Sequence, residues 1–555
     1  LITRMTKLGW FDGSRHREIV EDASKVYNAS FEHCAIALRL LCSLVEEFNT
    51  TSTKGDARSL THQRKCAVSF RDLALFPIVQ IAQSTLQRLR TREGLGNALG
   101  RAQEDAIAEH SLKLLAACLS YDFIGTNADE SSDDVGTIQL PSAWRPVAHD
   151  PALSSTLFEY FTRSDPPRSS SAMQSLVLLS SVRRSLFASE ADRARFLDGL
   201  MRGIRDVLAS QRGLQHEQNY HEFCRLLGRL KSNYQLSELV NADGYDEWLD
   251  LAGKFTAASF DQWQFSRNSI QYLLTLWGRL VAAVPYAHRA AASSSTAPSS
   301  AVVSDDGNGN GTTGGGAATS TADDDQGGGE MTQQEQRRRR EREHLELLER
   351  CVLDVATKYI QSMITSVHLV DQGSTVDDPL DDDGALKDQL DRLPVLCRFR
   401  YNAVARFLTE GFDATAASYR QCLSASDRTA QHHRQMRSSL ERQLAWLIYV
   451  IAAVVGGVSW NQLPVADGEE ALDASLARRA FDVAELIDLA HQAPGMDRCD
   501  ARLELAVLYF LTQFRRVYLW EHHGPSSTAS SSARTVVDAV GGGSSPRVVV
   551  HHAGM

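Results

Sequence analysis

Paired cysteines are missing from this sequence. Its nine cysteines are Cys34, Cys42, Cys66, Cys118, Cys224, Cys351, Cys397, Cys422 and Cys499. The count is odd and no C-x-x-C pair occurs, which excludes a disulfide scaffold and a zinc ribbon. Most of them fall on apolar helical faces, where Cys behaves as a small hydrophobe, and the pattern suits a reducing compartment. Strand signals are equally scarce. Thr137-Ile138-Gln139-Leu140 is the one alternating stretch, too short for a sheet, and no βαβ succession appears, so doubly wound and barrel folds are excluded. No apolar run reaches the about 20 residues of a membrane span. The longest, Leu444 to Val458, ends at Gly456-Gly457 and reads as a helix buried on all sides, with no membrane insertion. An excess of basic charge is also lacking: 58 Lys and Arg face 69 Asp and Glu, for a formal net charge of −11. Such a chain does not track phosphate backbones, so nucleic acid is not expected as a partner. Proteins carrying basic patches suit it better.

Catalytic signatures fail one by one. His221-Glu222-Phe223-Cys224-Arg225 opens like a zinc-protease H-E-x-x-H, but Arg225 stands where the second ligand belongs. Gly94, Gly96 and Gly100 miss the dinucleotide spacing by one residue and follow no strand. No P-loop or G-x-S-x-G is present. His432-His433, His522-His523 and His551-His552 lie in polar segments without companion ligands. The sequence therefore predicts a protein that is not an enzyme, with no cofactor and no metal.

What remains is helical periodicity, in a chain that is 43% hydrophobic. One apolar stripe joins Phe31, Cys34, Leu38, Leu41, Cys42, Val45 and Phe48, and a second joins Tyr220, Phe223, Leu226, Leu227, Leu230 and Tyr234. A third runs from Ile270 through Leu273, Leu274, Trp277, Leu280 and Val281 to Val284. A fourth joins Leu503, Val507, Phe510, Leu511, Phe514 and Tyr518. Stripes this wide belong to helices that pack against two or more neighbours. Short turns separate them, at Asn49 to Gly55, Pro141 to Pro151 and Asn241 to Tyr245, for example. Helix pairs recurring every ~40–47 residues describe HEAT-type repeats. The predicted fold is all-α, a HEAT-repeat superhelical solenoid of antiparallel helix pairs.

Two segments break the pattern. Residues 290–345 are rich in Ala, Ser, Gly and Asp, and 521–555 are of low complexity, with little to bury. The expected organisation is a first array over 1–289, a disordered insertion over 290–345, a second array over 346–520 and a disordered tail over 521–555.

A set of local motifs is more specific. In order they are LGWFD at 8–12, SFRDLALFPI at 69–78, YDFIGTNADESSDD at 121–134, SVRRSLF at 181–187 and NYHEFCRLLGRLKSNYQLSELV at 219–240. NSIQYLLTLWGRLVAAVPY at 268–286, DDPLDDDG at 377–384, LAWLIYVIAAVVGG at 444–457 and LELAVLYFLTQFRRVYL at 503–519 follow. Together these resemble the exportin-7, or Ran-binding-protein-16, group of the importin-β (karyopherin) superfamily, over Leu1 to Tyr286 and Glu346 to Leu519. The resemblance implies a monomeric solenoid that binds Ran in its GTP form and protein cargo. It implies passage through the nuclear pore on weak contacts with phenylalanine-glycine nucleoporins, shuttling between nucleus and cytoplasm. By the same comparison the family's leading N-terminal repeats and C-terminal half are missing, and the chain, starting at Leu1 with no leader segment, reads as an internal fragment.

Two groups of residues are candidates for partner binding. Asp129, Glu130, Asp133 and Asp134 place four carboxylates in one short loop, without the Gly and terminal Glu spacing of a calcium loop. They either meet a basic patch on Ran or cargo or form a solvated inter-helix loop. Ser131, three residues before Asp134, sits in an acidophilic kinase context. Arg183, Arg184, Arg225, Arg229 and Lys231 stand among apolar helical residues, and either bind acidic partner surfaces or satisfy helix ends and nearby acids. Arg337 to Arg340 with Arg342 are interleaved with Glu335, Glu341, Glu343 and Glu346, which reads as a solvated helix start rather than a nuclear-localisation or nucleic-acid patch. A HEAT scaffold without a nucleotide switch is the alternative to a transport receptor.

Overall fold

The computed structural model describes residues 31–49, 57–91, 100–121, 137–284, 333–371, 378–424, 431–457, 469–492 and 498–519, with 123, 373 and 536 besides. The helices of seven or more residues are α1 (Phe31–Asn49), α2 (Ala57–Leu73), α3 (Leu75–Thr91), α4 (Arg101–Leu119), α5 (Pro151–Arg163) and α6 (Arg168–Ser180). Next come α7 (Glu190–Ser210), α8 (Glu217–Asn233), α9 (Tyr245–Asp261), α10 (Ile270–Ala282), α11 (Gln333–Asp371) and α12 (Asp383–Leu390). The last are α13 (Leu393–Phe399), α14 (Tyr401–Ser424), α15 (Gln431–Gly456), α16 (Glu469–Gln492) and α17 (Ala501–Phe514).

These helices form two layers. One runs α3, α5, α7, α9, α11, α14, α16 and the other α4, α6, α8, α10, α13, α15, α17, each helix packing on the member before and the member after it. The pairs close across the layers, as in α3 with α4, α5 with α6 and α14 with α15. Where α7 meets α8 the backbones touch little, and Arg193 bridges instead, donating to Asn233 O at 2.7 Å. This is an all-α HEAT-type solenoid, in which each unit buries its apolar face only by stacking on the next.

Local chemistry sets the helix ends. Asp150 caps α5 by accepting from Ala152 N at 2.9 Å, with Pro151 in the first turn. Ser189 caps α7, accepting from Asp192 N at 3.1 Å. Pro77 has no N–H for the preceding turn, and α2 gives way to α3 at Ala74 just before it. Gly244 leads into α9 at φ 70°, and a Cβ there would meet Arg205 Nη1 at 1.6 Å. Only glycine fits both demands.

Phe31 has no described side chain; the other residues of the predicted stripes are core with one exception. Cys34, Leu38, Leu41, Cys42, Val45 and Phe48 are buried, as are the stripes of α8 and α10. On α17, Leu511 instead faces out, exposed beside Leu505 and Leu508. Its spacing fits either edge of the stripe, and the core takes Leu503, Val507, Phe510 and Phe514. All nine cysteines are free and buried. α15 is long and apolar enough to cross a membrane by composition alone, yet 94% of its most apolar stretch is buried within the protein. Thr137 to Leu140 supplies only an isolated parallel bridge, Ile138 with Val182.

α11 starts at Gln333, ahead of the boundary drawn at 346 from composition. Its charged opening is solvated helix: Arg339, Arg340 and Arg342 are exposed, and Arg339 pairs with Glu343 one turn on at 2.7 Å. The remainder of the 290–345 expectation, and nearly all of 521–555, lie outside the described residues.

His344 of α11 is buried against the Tyr245 ring, centroids 5.3 Å apart, and neither ring nitrogen has a hydrogen-bond partner. Burial lowers its pKa from 6.5, with Asp246 opposing. A folded-state pKa below the unfolded value means stability is fully present above 6.5 and falls with pH below it. His110 and His149 are lowered by burial as well. Thermal midpoints are expected to drop as pH falls through 6.5, and His344→Phe to flatten part of that slope. Identical slopes in the two proteins would refute the assignment.

Candidate partner-binding surface

The loop between α6 and α7 presents two of the predicted cations. Val182 is buried and anchors it, while Ile138 N donates to Ser181 O at 2.8 Å and Arg183 N donates to Ile138 O at 3.1 Å. From α8, Asn233 Nδ2 donates to Ser180 O at 2.7 Å and Val182 O at 2.8 Å, closing the end of α6. Arg183 and Arg184 are thereby held exposed at a fixed corner. Arg183 Nε donates to Thr137 Oγ1 at 3.1 Å, and Arg184 pairs with Glu190 at 2.7 Å.

Lys231 belongs to the same corner. It is half-buried, its ammonium lies 3.5 Å from Tyr234 O, and burial followed by the like charge of Arg279 lowers its pKa. Glu238 is the shared counter-charge for Arg184, Lys231 and Arg193. Arg193 was not singled out from sequence, yet its guanidinium is buried, 2.6 Å from Glu238 and 4.2 Å from the Tyr234 ring centroid. The remaining two candidates do not join them. Arg225 pairs with Glu222 one turn back at 3.4 Å, and Arg229 is buried within the packed face of α8. His221 meets Ser269 Oγ at 3.2 Å, so the H-E-F-C-R motif spends its polar groups on helix contacts. Asp129, Glu130, Asp133 and Asp134 lie outside the described residues. The chain leaves for that loop at Phe123, whose ring meets Trp144 edge-on at 5.3 Å, and re-enters at Thr137 beside Arg183.

A second feature is a groove of about 620 Å³ between α5 and α7. Phe158, Phe196 and Val207 form its floor, and Glu159 with Arg163 and Asp192 with Arg195 pair along its rims. Gly203 lets the floor form, because a Cβ there would stand 2.3 Å from the Phe158 ring. The only sequence signal was Gly199 and Gly203 one turn apart on the same helical face.

The aspartates of DDPLDDDG are structural. Asp378 accepts from Leu380 N at 3.0 Å and approaches Arg442 at 3.4 Å, Asp381 takes both branches of Arg502 at 2.8 Å, and Asp382 caps α12 and pairs with Arg267. Hydrogen bonds from Arg502 and Arg267 hold the Asp381 and Asp382 carboxyls below the usual range, whereas burial raises Asp378.

A two-layered helical array with charged corners and an open inter-repeat groove defines a helical-repeat solenoid, an architecture with an extended surface. Sequence comparison narrows the class. Residues 366–536 match the family model "Exportin-7-like, TPR domain". Exportin-7-B of Xenopus laevis is 33% identical over 532 residues, covering 95% of this chain and 42% of that protein. Ran-binding protein 17 of Homo sapiens is 33% identical over 94% of this chain, and Ran-binding protein 16 of Drosophila melanogaster 34% over 93%, each again over 42% of the relative. The chain is homologous to the exportin-7 group along nearly its whole length, and spans about two-fifths of the length of these relatives. The solved structure of SYS-1 aligns over 97% of this chain at 10% identity with a TM-score of 0.23, too weak a likeness to carry an argument.

Proposed function

We propose that this chain is a stretch of a nuclear transport receptor, acting by binding rather than catalysis. In this reading the complete receptor takes Ran in its GTP form together with protein cargo, moves through the pore on phenylalanine-glycine nucleoporins, and shuttles between nucleus and cytoplasm. The observation that carries it is similarity over 94–95% of the chain to proteins named exportin-7 and Ran-binding protein. The corner of Arg183, Arg184 and Lys231 supports it as a surface for acidic patches, with Asp129, Glu130, Asp133 and Asp134 offering the opposite charge a few residues before Thr137, whose hydroxyl accepts from Arg183. Charge complementarity of this kind selects partners more than it adds affinity.

The test is capture of Ran locked with GTP or GDP, by this chain and by a form extended to the length of the relatives. The extended form is expected to prefer the GTP state at least about tenfold, equivalent to ~1.4 kcal/mol. Arg183→Glu with Arg184→Glu is expected to weaken Ran or cargo capture and reduce its salt dependence. Equal capture of both nucleotide states would leave a scaffold without a switch.

A further inference from the structure

We propose that His491, Cys499 and Glu504 form a site for a zinc-like divalent cation at the joint between α16 and α17. His491 ends α16, Cys499 stands immediately before the Asp500 cap of α17, and Glu504 lies in the first turn of α17. The connection between two packed helices thus returns three donors of different chemistry to one point. One imidazole nitrogen, the thiol sulfur and one carboxylate oxygen all lie within 4.8 Å of one another.

The spacing matches a tetrahedron. Zinc bonds of about 2.0–2.3 Å set ligand-to-ligand edges of roughly 3.3–3.5 Å. His491 Nε2 is 3.3 Å from Glu504 Oε1, and Cys499 Sγ is 3.3 Å from the same oxygen. Two of the three edges therefore have the right length before any ion enters. A nitrogen, a sulfur and an oxygen suit a borderline-soft ion, whereas calcium and magnesium take six or more oxygens. Three protein ligands leave the fourth position to water. The His491 ring is exposed and gives entry, while Cys499 is buried and holds the inner position.

The surroundings fix the donors. Asp500 N donates to Glu441 Oε2 at 2.8 Å, and its side chain accepts from Arg502 N at 3.0 Å, so the backbone beside Cys499 is tied to α15 and to α17. Arg437 lies close but spends its charge on Glu441 at 2.7 Å. Without a metal, the thiol proton of Cys499 fills the gap by donating to Glu504. Burial and the neighbouring carboxylates push that thiol up to about 12, so an ion must displace a firmly held proton. Coordination forms a metal–sulfur bond and releases that one proton to solvent.

Cobalt(II) titration of the whole chain under reducing conditions tests this independently of any Ran binding. A single saturable site is expected, with a sulfur-to-cobalt charge-transfer band and tetrahedral visible bands, both bleached by zinc. Cys499→Ser is expected to abolish the charge-transfer band, and His491→Gln to keep it while weakening zinc, read by chelator competition, at least about tenfold. The exposed His491 makes that second variant a safe control should Cys499→Ser misfold. Cys422→Ser should change neither reading. A band that survives Cys499→Ser, or zinc affinity unchanged by His491→Gln, overturns the site.

Discussion

Asp473→Ala is expected to destabilise the C-terminal part of the solenoid by about 3–5 kcal/mol, the cost of leaving a buried charge without its partner. Asp473 sits in α16 with 2% of its side chain exposed. Arg398 Nη2 donates to both its oxygens, at 2.7 and 2.9 Å, Tyr518 OH donates at 2.9 Å, and Tyr401 OH donates as well. Arg398 in turn donates to Val454 O at 3.0 Å and meets Glu469 at 3.1 Å. One carboxylate thereby joins α13, α14, α15, α16 and the turn after α17. Burial opposes the Arg398 charge, but Asp473, Tyr401 and Glu469 hold it ionised, and both phenols are pushed up so that they stay donors. Urea denaturation followed by hydrogen exchange in α16 measures the loss. Asp473→Leu combined with Arg398→Met should recover much of it, since apolar replacement of a buried ion pair is often neutral or better. A single-variant loss below about 1 kcal/mol would show that the network is relayed through water.

Trp277→Ala should cost a similar ~3–5 kcal/mol, by a different route. The indole is fully buried in α10, and its N–H donates to Thr256 Oγ1 at 3.0 Å. It also fills the seam where α11 docks on α9: a Cβ on Gly253 would lie 3.5 Å from the Cys351 sulfur and 3.7 Å from the Trp277 ring. Truncation removes the ring, while the Thr256 hydroxyl keeps its own bond to Ala252 O at 2.8 Å, so the cavity carries most of the cost. Limited proteolysis at the start of α11 is the sensitive reading, because the chain between Val284 and Gln333 rejoins the fold there. Trp277→Phe should restore the packing but not the hydrogen bond, and retain more than half of the stability. Equal loss in both variants would mean that the bond to Thr256 outweighs the ring.

The fold was legible because stripes such as Ile270, Leu273, Leu274 and Trp277 repeat at helical spacing wherever the residues pack. Leu511 shows the limit of that logic. A residue at the stripe edge is assigned by its neighbour helix, which a single-helix pattern does not contain. The candidate cations separated for the same reason. Arg183, Arg184 and Lys231 converge because Asn233 caps a helix about fifty residues upstream, a contact with no local signature, and Arg229 turned inward. DDPLDDDG was recognisable as a motif, but its acids answer to Arg267, Arg442 and Arg502 on distant elements. His491, Cys499 and Glu504 escaped notice because their spacing matches no familiar zinc pattern and they meet only where α16 packs on α17.

The turn from Asp378 to Asp382 has a mechanical consequence. Tethered to α15, to α17 and to the residue ahead of α10, it braces the second half of the array like a three-legged truss, reinforced by Asp473. Between α5 and α7, by contrast, about 620 Å³ is left unfilled, and the rim pairs Glu159 with Arg163 and Asp192 with Arg195 do not cross from one helix to the other. A load that bends the array is taken up at that compliant joint first. Bending of the superhelix is therefore expected at the groove between α5 and α7, with the braced half following as one stiff lever.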